Sequence, residues 1–294
     1  MQQIEYIIPT SLEEALNISA KYPQDAKFIS GGTDLIPQIR ANILKPSILV
    51  DLRLLQLNRI RLESDFISIQ SGVTHAQIVK SQVIKTIFPV LAEACNLIGG
   101  QATRNRGTLG GNIVNASPAA DSVPPLLVYD SLAVIAGKEK ERTISLSDFF
   151  QEYRKTILKP DEILKEIVIP IPQKKNVAKF IKIGRRRALS ISIVSVAVCL
   201  TLGEENSVTN ARVALGSVAP IPIRAKSAEE ILIGKKLDSK IIVEAAHEAG
   251  VNGNPITDIR ASKEYRRKMI EVLVRRALEE IYRELSGEIN YGSY

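Results

Sequence analysis

Read from its first residues, the chain switches repeatedly between the two-residue period of strands and the wider spacing of helices. Ile4 to Ile8 is a short apolar strand, and Ser11, three residues before Glu14, is a capping-box start for a helix with Leu12, Ala15, Leu16 and Ala20 on one side. Lys27 to Ser30 reads as a strand running into Gly31-Gly32, Asp34 to Asn42 as a helix, and Ile48 to Leu52 as a buried strand. Residues 59 to 71 predict a hairpin bent at Ser64-Asp65, because Ile60, Leu62, Phe66, Ile67 and Ile69 are β-prone on both sides. Thr74 to Val79 and Pro89 to Ile98 have helical patterns, while Leu126 to Tyr129, Leu132 to Ala136 and Thr143 to Leu146 have β character. The strand Glu162 to Pro172 is stopped by prolines and the charged turn Gln173-Lys174-Lys175, so a first domain is expected over residues 1–173.

The remainder, 174–294, has another texture. Three strand-like runs follow one another at Lys179 to Gly184, Ile191 to Leu202 and Ala211 to Val218, and then helices at Ala228 to Ile233, Ser239 to Ala249 and Ser262 to Leu285. Strands followed by helices predict an α+β lobe of antiparallel sheet backed by helices. In the last helix Ile270, Val274, Ala277, Ile281 and Leu285 form one apolar stripe. Much of the net charge of +7 sits on the same segment, where Arg260 to Arg283 holds eight Lys or Arg against four Asp or Glu. Without interleaved aromatics this reads as a solvated or subunit-facing helix surface, and no nucleic-acid partner is expected. The 45% hydrophobic content is enough to fill real cores. No apolar run reaches the ~18 residues of a membrane span, and the N-terminus lacks a signal-peptide layout, so a cytoplasmic protein is expected.

Only two cysteines, Cys95 and Cys199, and two histidines, His75 and His247, are present. That inventory builds neither a disulfide framework nor a Cys-ligated cluster, and no metal site is assigned. The cysteines read as small buried hydrophobes and His247 as a surface or packing residue on a helix. Redox or group-transfer chemistry would therefore rest on a bound organic cofactor or on carboxylates and hydroxyls.

Two stretches carry candidate binding chemistry. Ser30-Gly31-Gly32-Thr33-Asp34-Leu35 and Thr108-Leu109-Gly110-Gly111-Asn112 each set adjacent residues without Cβ beside a hydroxyl, which suits close approach of backbone to an anion. Together they could hold one diphosphate. Gly31-Gly32 alone equally suits a tight turn, and the second stretch equally an irregular loop. Neither Gly-x-Gly-x-x-Gly nor Gly-x-x-x-x-Gly-Lys-[Ser/Thr] occurs, so the common dinucleotide and P-loop sites are excluded. A carboxylate at Asp121 suits a ribose hydroxyl better than a phosphate.

These stretches, with Thr103-Arg104-Asn105-Arg106-Gly107, Asn115-Ala116-Ser117-Pro118-Ala119-Ala120-Asp121, Tyr153-Arg154-Lys155-Thr156 and Gly184-Arg185-Arg186, resemble the FAD-binding medium subunit of the xanthine dehydrogenase and aerobic carbon monoxide dehydrogenase family, the molybdenum hydroxylases. The resemblance covers nearly the whole chain. It implies an α+β fold: a PCMH (vanillyl-alcohol-oxidase)-type FAD-binding domain of two subdomains, plus a C-terminal flavoprotein lobe. It implies noncovalent FAD held by Ser30, Gly31, Gly32, Thr33, Asp34 and Leu35 on one side and by Thr103, Gly107, Thr108, Gly110, Gly111 and Asn112 on the other. Asp121 would lie near the ribose, with Leu164 and Lys182 as candidates for ring or adenine contacts. His75 lies outside both loops in sequence, and no covalent flavin link is expected through it.

The resemblance further implies an electron-transfer subunit. FAD would receive electrons from [2Fe-2S] clusters on a small subunit, supplied by a molybdenum cofactor on a large subunit, and deliver them to NAD or another acceptor. No catalytic side chain is assigned here. One departure stands out: Ser190 occupies a position where many relatives carry Asp, and Ile191 one where carbon monoxide dehydrogenase relatives carry Tyr, which points away from that branch. The rival reading is a self-sufficient FAD-dependent oxidase or reductase of the same fold, which would need a ring-adjacent acid or base.

Overall fold

In a computed structural model the described residues are 3–186 and 188–287. The chain opens with β1 (Glu5–Ile7), α1 (Leu12–Lys21), β2 (Ala26–Ile29), α2 (Leu35–Arg40) and β3 (Ile48–Asp51), and the strands make a parallel sheet in the order β1-β3-β2. Ser11 caps α1 by accepting the Glu14 N–H at 3.1 Å. The reciprocal half of the expected box goes one residue upstream, where Glu14 accepts the Thr10 N–H at 2.8 Å. Ala15, Leu16, Ala26, Ile48 and Val50 pack into a small core of their own.

The second layer begins with the hairpin β4 (Ile60–Leu62) and β5 (Phe66–Gln70), paired antiparallel as its alternation predicts. Six short helices follow: α3 (His75–Lys80), α4 (Gln82–Ile87), α5 (Pro89–Asn96), α6 (Gln101–Arg106), α7 (Leu109–Val114) and α8 (Val123–Val128). After them come β6 (Leu132–Gly137), β7 (Glu141–Ser145), the small hairpin β8 (Phe150–Glu152) and β9 (Lys155–Thr156), and β10 (Glu162–Pro170). The antiparallel sheet runs β4-β5-β10-β6-β7, so β10 closes it by inserting at the centre. The β character expected over Leu126 to Tyr129 is not what forms. Val123-Pro124-Pro125 places both prolines in the first turn of α8, where their missing N–H groups cost nothing, and Val123 to Val128 is buried throughout. A short apolar run buried on every side has no period to separate helix from strand.

The last layer is β11 (Asn176–Gly184), β12 (Ser192–Leu202), β13 (Val208–Gly216) and β14 (Ile223–Arg224), antiparallel in that order, with α9 (Lys226–Leu232), α10 (Ser239–Asn252) and α11 (Lys263–Leu285). The stripe expected on α11 is buried at Ile270, Val274, Ala277 and Ile281. Nearly every residue of β12 is buried, because its two faces enter different cores. Val194, Val196, Val198 and Leu200 pack with α9–α11, whereas Ala197 and Cys199 join Phe180 and Ala214 in the core of the middle layer. The α+β architecture expected from the sequence is the one observed, ending in an antiparallel sheet backed by helices.

Candidate functional site

A cleft of about 770 Å³ opens between the first two layers, within the range of ~300–1,000 Å³ usual for ligand pockets. Ser30 to Leu35 line one wall, Thr103, Gly107, Thr108, Gly110, Gly111 and Asn112 the other, and Leu164 of β10 joins them. The structure therefore brings together two stretches that lie far apart in sequence. Asp121 and Lys182 do not line the cleft. They pair with each other at 2.5 Å, and the Ser192 hydroxyl donates to the same carboxylate. Burial pushes the Asp121 carboxyl up, against the pull of Lys182 and Ser192.

Each wall has a local cause. Gly32 at φ +73° turns the chain from β2 into α2, a conformation that costs a residue without Cβ least. Beside it, a Cβ on Gly31 would lie 2.8 Å from the Arg106 carbonyl carbon and nearer still to its oxygen, so the two walls touch backbone to backbone. The second wall is two short helices and not an irregular loop. Thr108 is the N-cap of α7 and accepts the Gly111 N–H at 3.1 Å, satisfying a donor a helix start leaves open. An isolated bridge pairs Thr74 with Thr108, with His75 N–H donating to Gly107 O at 3.0 Å and Leu109 N–H to Val73 O at 2.8 Å.

An inventory of donors separates the walls. Gly110 N–H donates to Ser71 O at 2.9 Å and Asn112 N–H to Thr108 O at 3.0 Å, so α7 has little backbone left to offer a ligand. From Gly31 to Leu35 the backbone N–H groups find no acceptor among the described residues; the first bond of that turn is Ile36 N–H to Gly32 O, 3.1 Å. A run of adjacent unpaired N–H groups is an anion-binding concavity. Among side chains, Asn112 Oδ1 accepts from Ser122 Oγ at 2.8 Å, which leaves its amide hydrogens for the cleft. Partial desolvation at the cleft wall pushes the Asp34 carboxyl up, while the Arg154 charge pulls it down. Arg154 also lines the cleft and donates to Gln38 Oε1 at 2.8 Å.

Tertiary pairing adds a residue that sequence order had set aside. His75 lies in the cleft wall, buried, with Nδ1 unpartnered among the described residues. Burial, with help from the nearby Arg104 charge, drives its pKa down to about 4, so the imidazole is neutral across ordinary pH. The Thr74–Thr108 bridge joins its helix start to the α7 cap, and no spacing in the sequence announces that bridge. Cys95 and Cys199 are buried, and burial raises both thiols, that of Cys199 to about 12. Among the described residues no group of His, Cys, Asp and Glu could hold a metal ion, and no helix is long and apolar enough to cross a membrane.

Comparison with known proteins decides the family. A family model described as the FAD binding domain in molybdopterin dehydrogenase matches residues 2–172, and one described as the CO dehydrogenase flavoprotein C-terminal domain matches residues 179–281. The chain belongs to the FAD-binding medium subunits of the molybdenum hydroxylases. It is 32% identical to the alpha subunit of the 6-hydroxypseudooxynicotine dehydrogenase complex of Paenarthrobacter nicotinovorans, covering 93% of each chain. It is 30% identical to the glyceraldehyde dehydrogenase medium chain of Sulfolobus acidocaldarius, covering 95% of this chain and 98% of that one. Among solved structures it resembles carbon monoxide dehydrogenase from Hydrogenophaga pseudoflava, with a TM-score of 0.91, 29% identity, and coverage of 94% and 96%. Similar identity to proteins named for such different substrates fits a medium subunit whose fold is common to several dehydrogenases. The chain is thus an FAD-dependent oxidoreductase component.

Proposed function

We propose that the cleft holds FAD noncovalently with its diphosphate on the N–H run Gly31–Leu35, and that the medium subunit relays electrons from a partner's [2Fe-2S] clusters to NAD or another acceptor. The observation that carries this is the unpaired N–H run inside a cleft of dinucleotide size in a chain with this family's FAD domain. When bound, FAD supplies the electron-accepting and electron-donating chemistry. Gly31 to Leu35 orient it by donating along the backbone, and the Asn112 amide offers a further donor from the facing wall. Leu164, buried in β10, presents apolar surface that excludes water from the same cleft. Neutral His75 forms part of the cleft wall without adding a charge to it. Asp121 and Lys182 act behind the wall: Asp121 adjoins Ser122, which bonds Asn112, so the ion pair steadies the side chain that faces the cofactor.

Substrate hydroxylation is assigned to a large subunit carrying the molybdenum cofactor, and the clusters to a small subunit. Purification of the native complex tests this reading. The expected result is a yellow chain co-purifying with iron and molybdenum, whose flavin is reduced by the hydroxylation substrate only when both partners are present. A yellow chain that runs alone and whose flavin is reduced directly by an organic substrate would overturn it.

A further inference from the structure

The hairpin of β8 and β9 leaves the middle sheet and ends at Tyr153-Arg154, and its tip is built unusually. Arg154 sits at φ +56°, in the left-handed region that a side chain other than Gly, Asn or Asp rarely adopts. Its N–H donates at 3.1 Å to the carbonyl of Ala116, which is itself at φ +47° and fully buried just past α7. Two left-handed non-glycine residues are thus joined by one hydrogen bond, and held strain of this kind clusters at ligand clamps. From that anchor the guanidinium lines the cleft and reaches the opposite wall, donating to Gln38 Oε1 of α2 at 2.8 Å, with its charge felt by Asp34. Arg154 therefore spans the mouth from the α7 wall to the α2 wall. Its guanidinium lies over the Tyr153 ring, 5.6 Å to the centroid, and has no carboxylate within ion-pair distance among the described residues, so its charge is not neutralised by an anion.

We propose that Arg154 is the cationic clasp of the site, closing over the cofactor's diphosphate and supplying the charge that the backbone N–H run of Gly31–Leu35 lacks. This rests on the FAD reading above and adds to it a residue outside both glycine stretches. A diphosphate carries two negative charges, and one of its walls already holds Asp34; neutral N–H donors orient such a group, whereas a guanidinium matches it with charge-assisted bonds. The strained backbone fits the same role, since it fixes where a long side chain leaves the hairpin.

The test uses the full chain, freed of flavin and titrated with FAD and, separately, with riboflavin, which lacks the diphosphate. Arg154→Gly suits a left-handed position and so keeps the fold, as an unchanged or slightly raised melting temperature verifies. The expected result is FAD binding weaker by about tenfold to a hundredfold, as for loss of a charge-assisted pair, with riboflavin binding unchanged. Arg154→Lys is expected to recover part of the loss, and raised salt to narrow the gap between wild type and Arg154→Gly. Equal weakening of FAD and riboflavin, or no weakening of either, overturns the clasp. So does full recovery in the double variant Asp34→Asn with Arg154→Gly, which would mean that Arg154 serves only to neutralise Asp34. Failure of the wild-type chain itself to take up FAD would instead remove the FAD reading, and the clasp with it.

Discussion

Between Gly31 and Leu35 the backbone N–H groups face no acceptor among the described residues, whereas between Gly107 and Asn112 all but that of Thr108 are bonded within the chain. The two segments are alike in composition, each a glycine pair within two residues of a threonine. Their neighbours differ. The second segment is laid against Ser71 to Val73, and a Cβ on Gly110 would stand 2.7 Å from the Ser71 carbonyl oxygen, so its glycine serves a protein–protein backbone contact. The first segment meets the second at Gly31, against the Arg106 backbone, and at Thr33, whose hydroxyl lies beside Gly107, while its backbone N–H groups keep no acceptor among the described residues. A glycine pair signals that some backbone comes close; whether the visitor is a ligand or another stretch of the same chain is decided by packing.

The comparison can be broken most severely at Gly31. Gly31→Ala drives a methyl into the Arg106 backbone, where neither partner is a flexible side chain, and a loss of about 3 kcal/mol or more is expected in chemical denaturation, with the flavin lost as well. An unfolding midpoint equal to wild type would mean that the walls do not touch there.

Next in size is a pH effect from the second wall. His75 has its native pKa lowered to about 4 from an unfolded value of 6.5. Above 6.5 both states are neutral and stability is independent of this group. As pH falls from 6.5 towards 4, the unfolded chain takes up the proton first and stability declines, by about 2 kcal/mol between pH 6.5 and 5. His75→Gln is expected to flatten that slope in urea titrations at the two pH values. An unchanged slope would show that the ring is not held neutral against the Gly107 segment.

The smallest change sharpens the contrast. Thr108→Ala removes the α7 cap and is expected to cost about 1 kcal/mol of stability, read from the melting temperature. Because the α7 donors are internal, flavin affinity should stay close to wild type. A large loss of affinity with unchanged stability would transfer the anion-binding role to the second wall.

Much of this was legible beforehand where one element carries its own pattern. The hairpin 59 to 71, the capped first helix and the stripe on α11 follow from local periodicity, and Gly31-Gly32 opens a helix after a strand as its position suggests. What stayed illegible depends on partners distant in sequence. Arg266, read with its neighbours as part of a solvated or subunit-facing helix surface, is buried, donating to Ile193 O at 2.7 Å, Ser217 O at 3.0 Å and Asp258 at 2.7 Å. His75 entered the cleft through a bridge to Thr108, and α8 took a helical form where the run of apolar residues had suggested a strand. Lys182 and Asp121 meet across 61 residues, which no periodicity encodes.

The two faces of β12 bear on modular exchange between relatives. The family models divide the chain between residues 172 and 179, an obvious place to cut when building chimaeras. Yet Phe180, Ala197, Cys199 and Ala214 lie beyond that cut and pack in the same core as Leu91, Leu126 and Ile135. A graft at this seam would set one face of a foreign sheet against a hydrophobic interior shaped by another sequence. Swaps between dehydrogenases of this family should therefore succeed only when the small side chains of that face travel with the helices they touch.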